Sequence, residues 1–152
     1  MVTPHYLLDT NMLSEPLKPQ PNPAVIEKLH RHRHEIATAT IVWHELWFGC
    51  YQLPLSRKRQ HIEQYLNEVV LPYIPILPYN QAAAEWHARE RARLASIGQT
   101  PPFVDGQIAA IANAHGVIMV TRNEVDFQRF DGISVENWFL PDSLNSEEGK
   151  EL

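Results

Sequence analysis

Short apolar runs alternate with longer stretches whose apolar residues recur every three or four positions. This alternation predicts strands separated by helices. Residues 6–9 and 36–40 read as buried strands. Residues 73–77 read as a third strand, and Pro75 inside it removes a ladder donor, which predicts an edge position. Residues 117–121 form a continuous apolar run, the pattern of a strand covered on both faces. Residues 133–135 supply a last short strand. Between the strands, residues 11–17 read as a short helix stopped by Pro16, Pro19, Pro21 and Pro23, and Asn22-Pro23 is suited to start the next one. Val25, Ile26 and Leu29 give that helix its apolar face. Helices are also predicted over 41–51 and 57–70. Asn80 caps one that runs to Ile97, with Ala83, Trp86, Leu94 and Ile97 inward and Gly98 ending it. Pro101-Pro102 precede a helix over 103–115, closed by Gly116. Strands separated by helices imply an α/β fold, a parallel sheet of four to five strands flanked by helices on both faces. The expected division is one domain over 1–141 and a polar C-terminal tail over 142–152, where no core pattern remains.

Composition narrows the class. A chain of 152 residues buries one domain's core, and 44% hydrophobic with 20% charged residues fits a globular protein. The single cysteine, Cys50, excludes an internal disulfide framework and fits a reducing cytosol. Met1-Val2-Thr3-Pro4 opens without a basic, apolar leader, and no run approaches the roughly 18 apolar residues of a membrane span. A cytoplasmic protein with no membrane contact is expected. The net charge of -5 argues against a protein that coats nucleic acid, while leaving room for an enzyme with a local basic rim around an acidic centre.

Four acids stand where such a fold can bring them together. Asp9 closes the first strand run, Glu45 lies within a helix, Asp105 opens the helix after the two prolines, and Asp126 follows the fourth strand. In open α/β sheets the ligand site lies beyond the carboxyl ends of the strands. A helix start favours an anion, which predicts that Asp105 stays ionised. Converging carboxylates repel one another unless a divalent cation sits among them. Hard oxygen donors suit Mg²⁺ or Mn²⁺, ions that activate water and stabilise charge on a phosphoryl group. Taken singly, each acid has an ordinary structural role: Asp9 as a helix cap, Glu45 on a solvated face, Asp105 as a dipole partner, Asp126 in a turn.

The motifs around these acids resemble one family. Leu7-Leu8-Asp9-Thr10-Asn11 with Leu13-Ser14-Glu15-Pro16 looks like the opening motif of PIN-domain toxins of the VapC and FitB type. Trp43-His44-Glu45-Leu46 with Gly49, Asp105-Gly106-Gln107-Ile108-Ala109-Ala110, and Val120-Thr121-Arg122-Asn123 with Asp126-Phe127 resemble the second, third and fourth. The resemblance runs from about residue 6 to residue 138. It implies a PIN domain and a Mg²⁺- or Mn²⁺-dependent endoribonuclease toxin, paired with a VapB-like antitoxin. It further implies operator DNA reached only through that antitoxin, and a homodimer. Asp9, Glu45 and Asp105 would be the catalytic, metal-binding acids, supported by Thr10, Asn11 and Thr121. The family's fourth acidic position falls on Asn123, a neutral ligand, with Asp126 as its neighbour, which leaves one or two ions open.

Other residues carry weaker chemical signals. His30, His32 and His34 are two apart on a helix and point in different directions, so they read as a solvated basic face. His44-Glu45 starts a zinc-protease pattern, but Phe48 stands where its second histidine belongs. Arg57, Lys58 and Arg59 read as a surface helix start. Glu85 and Arg89 suit an ordinary helix pair of roughly 0.2–0.5 kcal/mol. Arg89, Arg91, Arg93 and Arg122 are candidates to line an RNA path. Trp43 and Trp47 suit core packing, and an exposed Trp47 and Phe48 would suit an antitoxin contact. Two other functions compete: a non-enzymatic regulatory module acting with a DNA-binding antitoxin, and a phosphatase, whose usual Asp-x-Asp opening is broken here by Asn11.

Overall fold

The computed structural model describes residues 3–145. Its five strands form one parallel sheet in the order β3-β2-β1-β4-β5. They are β1 (Tyr6–Leu8), β2 (Ile36–Ala39), β3 (Ile76–Leu77), β4 (Ile118–Val120) and β5 (Val135–Glu136). β1 is central, with Tyr6 level with Ile36 on one side and Ile118 on the other. Leu7 and Leu8 are fully buried, as a run covered on both faces requires. Pro75 directly precedes β3, one of the two edge strands. Thr38 N donates to Pro75 O at 2.9 Å, so Pro75 contributes its carbonyl to the sheet and its missing N–H goes unused.

The connections are helical: α1 (Thr10–Ser14), α2 (Pro23–Arg31), α3 (Thr40–Tyr51), α4 (Arg57–Tyr65), α5 (Leu71–Tyr73), α6 (Gln81–Ser96), α7 (Phe103–His115), α8 (Glu124–Gln128) and α9 (Asp142–Asn145). Asn22 Oδ1 accepts from the amides of Ala24 and Val25, and Asn80 Oδ1 from that of Ala83, so both expected caps form. Gly116 closes α7 in the left-handed region at φ 65°. The predicted 57–70 helix is interrupted by a wide π-turn at Leu66–Val70, which places Leu66 and Val70 in the core. α6 and α7 make the most extensive helix pair. Among the described residues, no helix is long and apolar enough to cross a membrane.

Some expectations need correction. Ile26 lies exposed, and Lys28 is buried in its place: its Nζ donates to Leu140 O at 2.6 Å and pairs with Asp142 Oδ1 at 3.1 Å. Ile97 is outside, because α6 ends before the chain turns at Gly98. Glu85 accepts from Gln81 at 3.2 Å, and among the described residues no ion pair joins it to Arg89. The segment expected as a polar tail begins with structure, since Asp142–Asn145 is helical and Asn145 exchanges hydrogen bonds with Asn137. The remainder of that tail, 146–152, lies outside the described residues.

Candidate active site

The strand order reverses at β1 and β4, because β1 leads to β2 on one side while β4 lies on the other. The crevice beyond two such strands is where open α/β sheets place ligands. Asp9 follows β1 there and Thr121 follows β4. The two are locked together: Asp9 N donates to Val120 O at 3.0 Å, and Thr121 Oγ1 donates to Asp9 Oδ2 at 2.8 Å. Asp9 Oδ1 accepts from Thr10 N at 2.8 Å, so the carboxylate also caps α1. Both carboxylate oxygens of Asp9 are therefore hydrogen-bonded, one to the start of α1 and one to the residue after β4.

The expected supports fall around it. Thr10 Oγ1 donates to Glu45 Oε2, which ties α3 to the start of α1. Asn11 Oδ1 accepts from Arg122 N at 3.2 Å, and its Nδ2 reaches Thr121 Oγ1 at 3.5 Å. Asn123 N donates to Thr121 Oγ1 at 3.0 Å, while the Asn123 side chain is exposed. Asp105 sits half-buried in the first turn of α7.

Electrostatics join these acids. Burial pushes the Asp105 carboxyl up to about 6, and the charges of Asp126, Asp9 and Glu45 push it the same way, with Arg129 opposing. The helix-dipole preference for an ionised Asp105 is thus opposed by burial and by its acidic neighbours. Asp9 is also raised, first by burial and further by Glu45 and Asp126, against the hydrogen bonds from Thr10 and Thr121. Asp126, set aside in the motif reading in favour of Asn123, is the strongest acidic neighbour of Asp105 and pairs with Arg129 at 3.7 Å. Among the described residues no three His, Cys, Asp or Glu side chains are drawn into a closed metal-ligand cluster. The acids thus stand within electrostatic reach while still apart. An all-oxygen set whose members destabilise one another's charge fits a hard divalent cation.

Sequence reasoning missed three features. Glu15 is buried at 3% exposure, held by Lys18 Nζ at 2.8 Å and Asn22 N at 2.9 Å. His87 is buried behind Asp105: Nδ1 shares a 2.9 Å hydrogen bond with Tyr79 OH, and Nε2 has no hydrogen-bond partner and lies against Gly106. Burial lowers its pKa, which favours the neutral ring. His32 is no free basic face, because it bonds Glu35 at 2.7 Å and stacks on Trp138. A charged or polar residue that enters the core at helical spacing is the signal that was available for Glu15 and His87.

The candidate RNA arginines separate. Arg93 Nη2 donates to Glu90 Oε2 at 2.7 Å and to Arg129 O at 2.9 Å, bracing α6 against the segment after α8. Arg89 is exposed on α6. Arg91 lies over the Phe103 ring, 5.3 Å from its centroid. Arg122 lies over the Phe139 ring at 4.6 Å. On α3, Trp47 is half-buried between Trp43 and Tyr51, whereas Phe48 is 57% exposed and stacked on His44.

The family model described as the PIN domain matches residues 6–133. Toxin FitB of Neisseria gonorrhoeae is 32% identical over 135 residues, which cover 87% of this chain and 97% of FitB. A VapC ribonuclease of Sinorhizobium fredii is 32% identical over 138 residues, 89% of this chain and 98% of its own. The solved structure of FitAB bound to a DNA fragment superposes with a TM-score of 0.83 at 30% identity, covering 90% of this chain and 96% of that one.

Proposed function

The chain belongs to the PIN-domain family, and from that premise we propose that it is the ribonuclease toxin of a toxin–antitoxin pair, hydrolysing RNA at the site of Asp9, Glu45 and Asp105. PIN-domain ribonucleases are generally dependent on a divalent metal. What supports the reading is that four acids from four separate segments act on one another: burial first, and then the charges of Asp126, Asp9 and Glu45, raise the Asp105 carboxyl to about 6.

Asp9, Glu45 and Asp105 would hold the ion, with Asp126 beside them and Asn123 as a neutral neighbour. The donor set favours Mg²⁺ or Mn²⁺, because every candidate ligand is an oxygen. When bound, the ion supplies positive charge for the phosphate and makes a water more acidic. The chain's own residues supply orientation. Thr121 and the Thr10 amide fix both oxygens of Asp9, so it does not reorganise as charge develops. Thr10 holds Glu45 through its hydroxyl, leaving the other carboxylate oxygen for a water. Hydrolysis then adds the water oxygen to phosphorus and expels a ribose oxygen, which leaves with a proton.

The protein partner is an antitoxin of the kind present in FitAB, and operator DNA is reached through that antitoxin, which fits a net charge of -5. Phe48 and Tyr51, the exposed aromatics of α3 beside the half-buried Trp47, supply the antitoxin contact. A homodimer and a cytoplasmic site of action complete the proposal.

The test is incubation of the purified chain with total cellular RNA including tRNA, with Mg²⁺, with Mn²⁺ and with EDTA. Discrete cleavage products are expected with an ion and none with EDTA. The Asp105→Asn variant, folded by circular dichroism, is expected to be inactive; undiminished cleavage by it refutes the assignment.

A further inference from the structure

The loop that carries Thr121 also walls a second concavity. This cleft of about 510 Å³ is lined in part by Glu15, Lys18, Asn22, Arg122 and Phe139, and its size falls in the range of small-molecule sites. It shares a seam with the acids. Asp9 starts α1, and Glu15 lies just past the end of that helix. Arg122 follows Thr121 directly, and Asn11 bridges the two through Arg122 N and Thr121 Oγ1.

The charges inside are arranged unequally. Glu15 and Lys18 offset each other at 2.8 Å. Lys18 holds the Glu15 carboxyl below its usual range, so the pair stays ionised. Arg122 is left as the net charge. Arg31, Arg59, Arg93 and Arg129 each pair with a carboxylate, whereas Arg122 has none within ion-pairing distance among the described residues. It is instead laid over the Phe139 ring. A guanidinium stacked by its face keeps its N–H fork open at the edge, the geometry that takes a phosphate through two hydrogen bonds. Its position is pinned from both ends, by the Phe139 ring under the guanidinium and by Asn11 on its backbone amide.

An RNA strand crossing the carboxylates needs positive charge beside them, because its neighbouring phosphates are repelled by the acids that serve the scissile one. Arg122 supplies that charge on the loop that positions Asp9. We propose that this cleft is the subsite for the nucleotide adjoining the scissile phosphate, with Arg122 gripping that nucleotide's own phosphate and Phe139 holding the guanidinium in place. The inference rests on the ribonuclease reading and names the surface that reading uses to hold its substrate.

The test separates the two. Binding of a fluorescent 12-nucleotide single-stranded RNA to the full chain is measured in EDTA over a series of salt concentrations, so that the strand binds without being cut. Arg122→Ala is expected to weaken binding about tenfold or more and to reduce the slope of log affinity against log salt by about 0.7, the contribution of one phosphate contact on a single strand. Arg122→Lys is expected to restore the slope but only part of the affinity, because lysine keeps the charge and loses the fork. Phe139→Leu is expected to weaken binding with the slope retained. The cleaved RNA found with total cellular RNA then gives the second readout, a lower kcat/KM for Arg122→Ala. Cleavage by the wild type with affinity, slope and kcat/KM all unchanged in Arg122→Ala overturns the subsite and leaves the ribonuclease standing. So does a variant that loses only its grip on an acidic protein partner. Wild-type chain that binds the 12-mer but cuts no RNA refutes the ribonuclease instead, and wild-type chain that does not bind it overturns the subsite.

Discussion

Thr121 Oγ1 holds Asp9 Oδ2 at 2.8 Å across 112 residues of sequence. The same hydroxyl accepts from Asn123 N at 3.0 Å, so one buried oxygen joins the end of β1 to the loop after β4. Thr121→Val keeps the shape and removes the donor. It is expected to lower stability by about 1–3 kcal/mol, the cost of leaving a buried acceptor unpaired, and to depress RNA cleavage. Thr121→Ser is expected to retain both. Urea unfolding and cleavage rates of the two variants check this, and equal loss in both would contradict it.

The acids also predict a pH dependence of stability. The Asp105 carboxyl rises from 3.8 when unfolded to about 6 in the folded chain, through burial first and then its acidic neighbours. Between about pH 4 and pH 6 the folded chain keeps a proton that the unfolded chain has lost. This contribution is fully present below about pH 4 and is lost as pH rises through 6. Asp9, also raised, acts in the same direction. In EDTA the melting temperature of Asp105→Asn should therefore gain on that of the wild type between pH 4.5 and 7. Added Mn²⁺ should stabilise the wild type more at pH 7 than at pH 5, because protons compete for the ligands at the lower value.

Gly106 is required by its neighbour. A Cβ there would collide with His87 Nε2, and His87 is 1% exposed, with its ring held by Tyr79 and packed on Phe103. Gly106→Ala is expected to destabilise by about 1–3 kcal/mol through overpacking, despite the better helix propensity of alanine. Adding His87→Ala should return part of that loss. A double mutant cycle by thermal unfolding measures the coupling, and additive effects would show that the two side chains do not meet.

Lys28 anchors the end of the described chain. Its buried Nζ serves Leu140 O and Asp142, whereas Arg31 reaches Asp142 from solvent. Lys28→Ala is expected to cost about 1.5–3 kcal/mol and to speed hydrogen exchange at Phe139. Arg31→Ala should cost under about 1 kcal/mol, as exposed pairs do.

Much of this was legible in the residues because local chemistry and global order agree. Continuous apolar runs, the asparagine caps at Asn22 and Asn80, and the glycine stop at Gly116 announce the elements. Pro75 announces the edge. Strand ends and helix starts suggest that Asp9, Glu45, Asp105 and Asp126 can meet, and motif resemblance singles out the first three, because spacing along a chain does not say which strand lies beside β1. Asp126 was demoted for the same reason: a motif aligns positions, while the repulsion that raises Asp105 depends on distance in space. Lys28 defeated periodicity because a long aliphatic stem can occupy an apolar position and deliver its charge to a carbonyl at the far side. Glu15 and His87 interrupt the apolar pattern at core positions, but that pattern does not mark their partners, Lys18 and Asn22 for one and Tyr79 for the other.

The central place of β1 has a consequence for the cell that makes this protein. Its right-hand neighbour, β4, begins at Ile118, and the oxygen that steadies Asp9 belongs to Thr121. A nascent chain still short of that point carries Asp9, Glu45 and Asp105 but lacks the strand beside β1 and the hydroxyl that holds Asp9. A product truncated before β4 is therefore expected to lack cleavage activity.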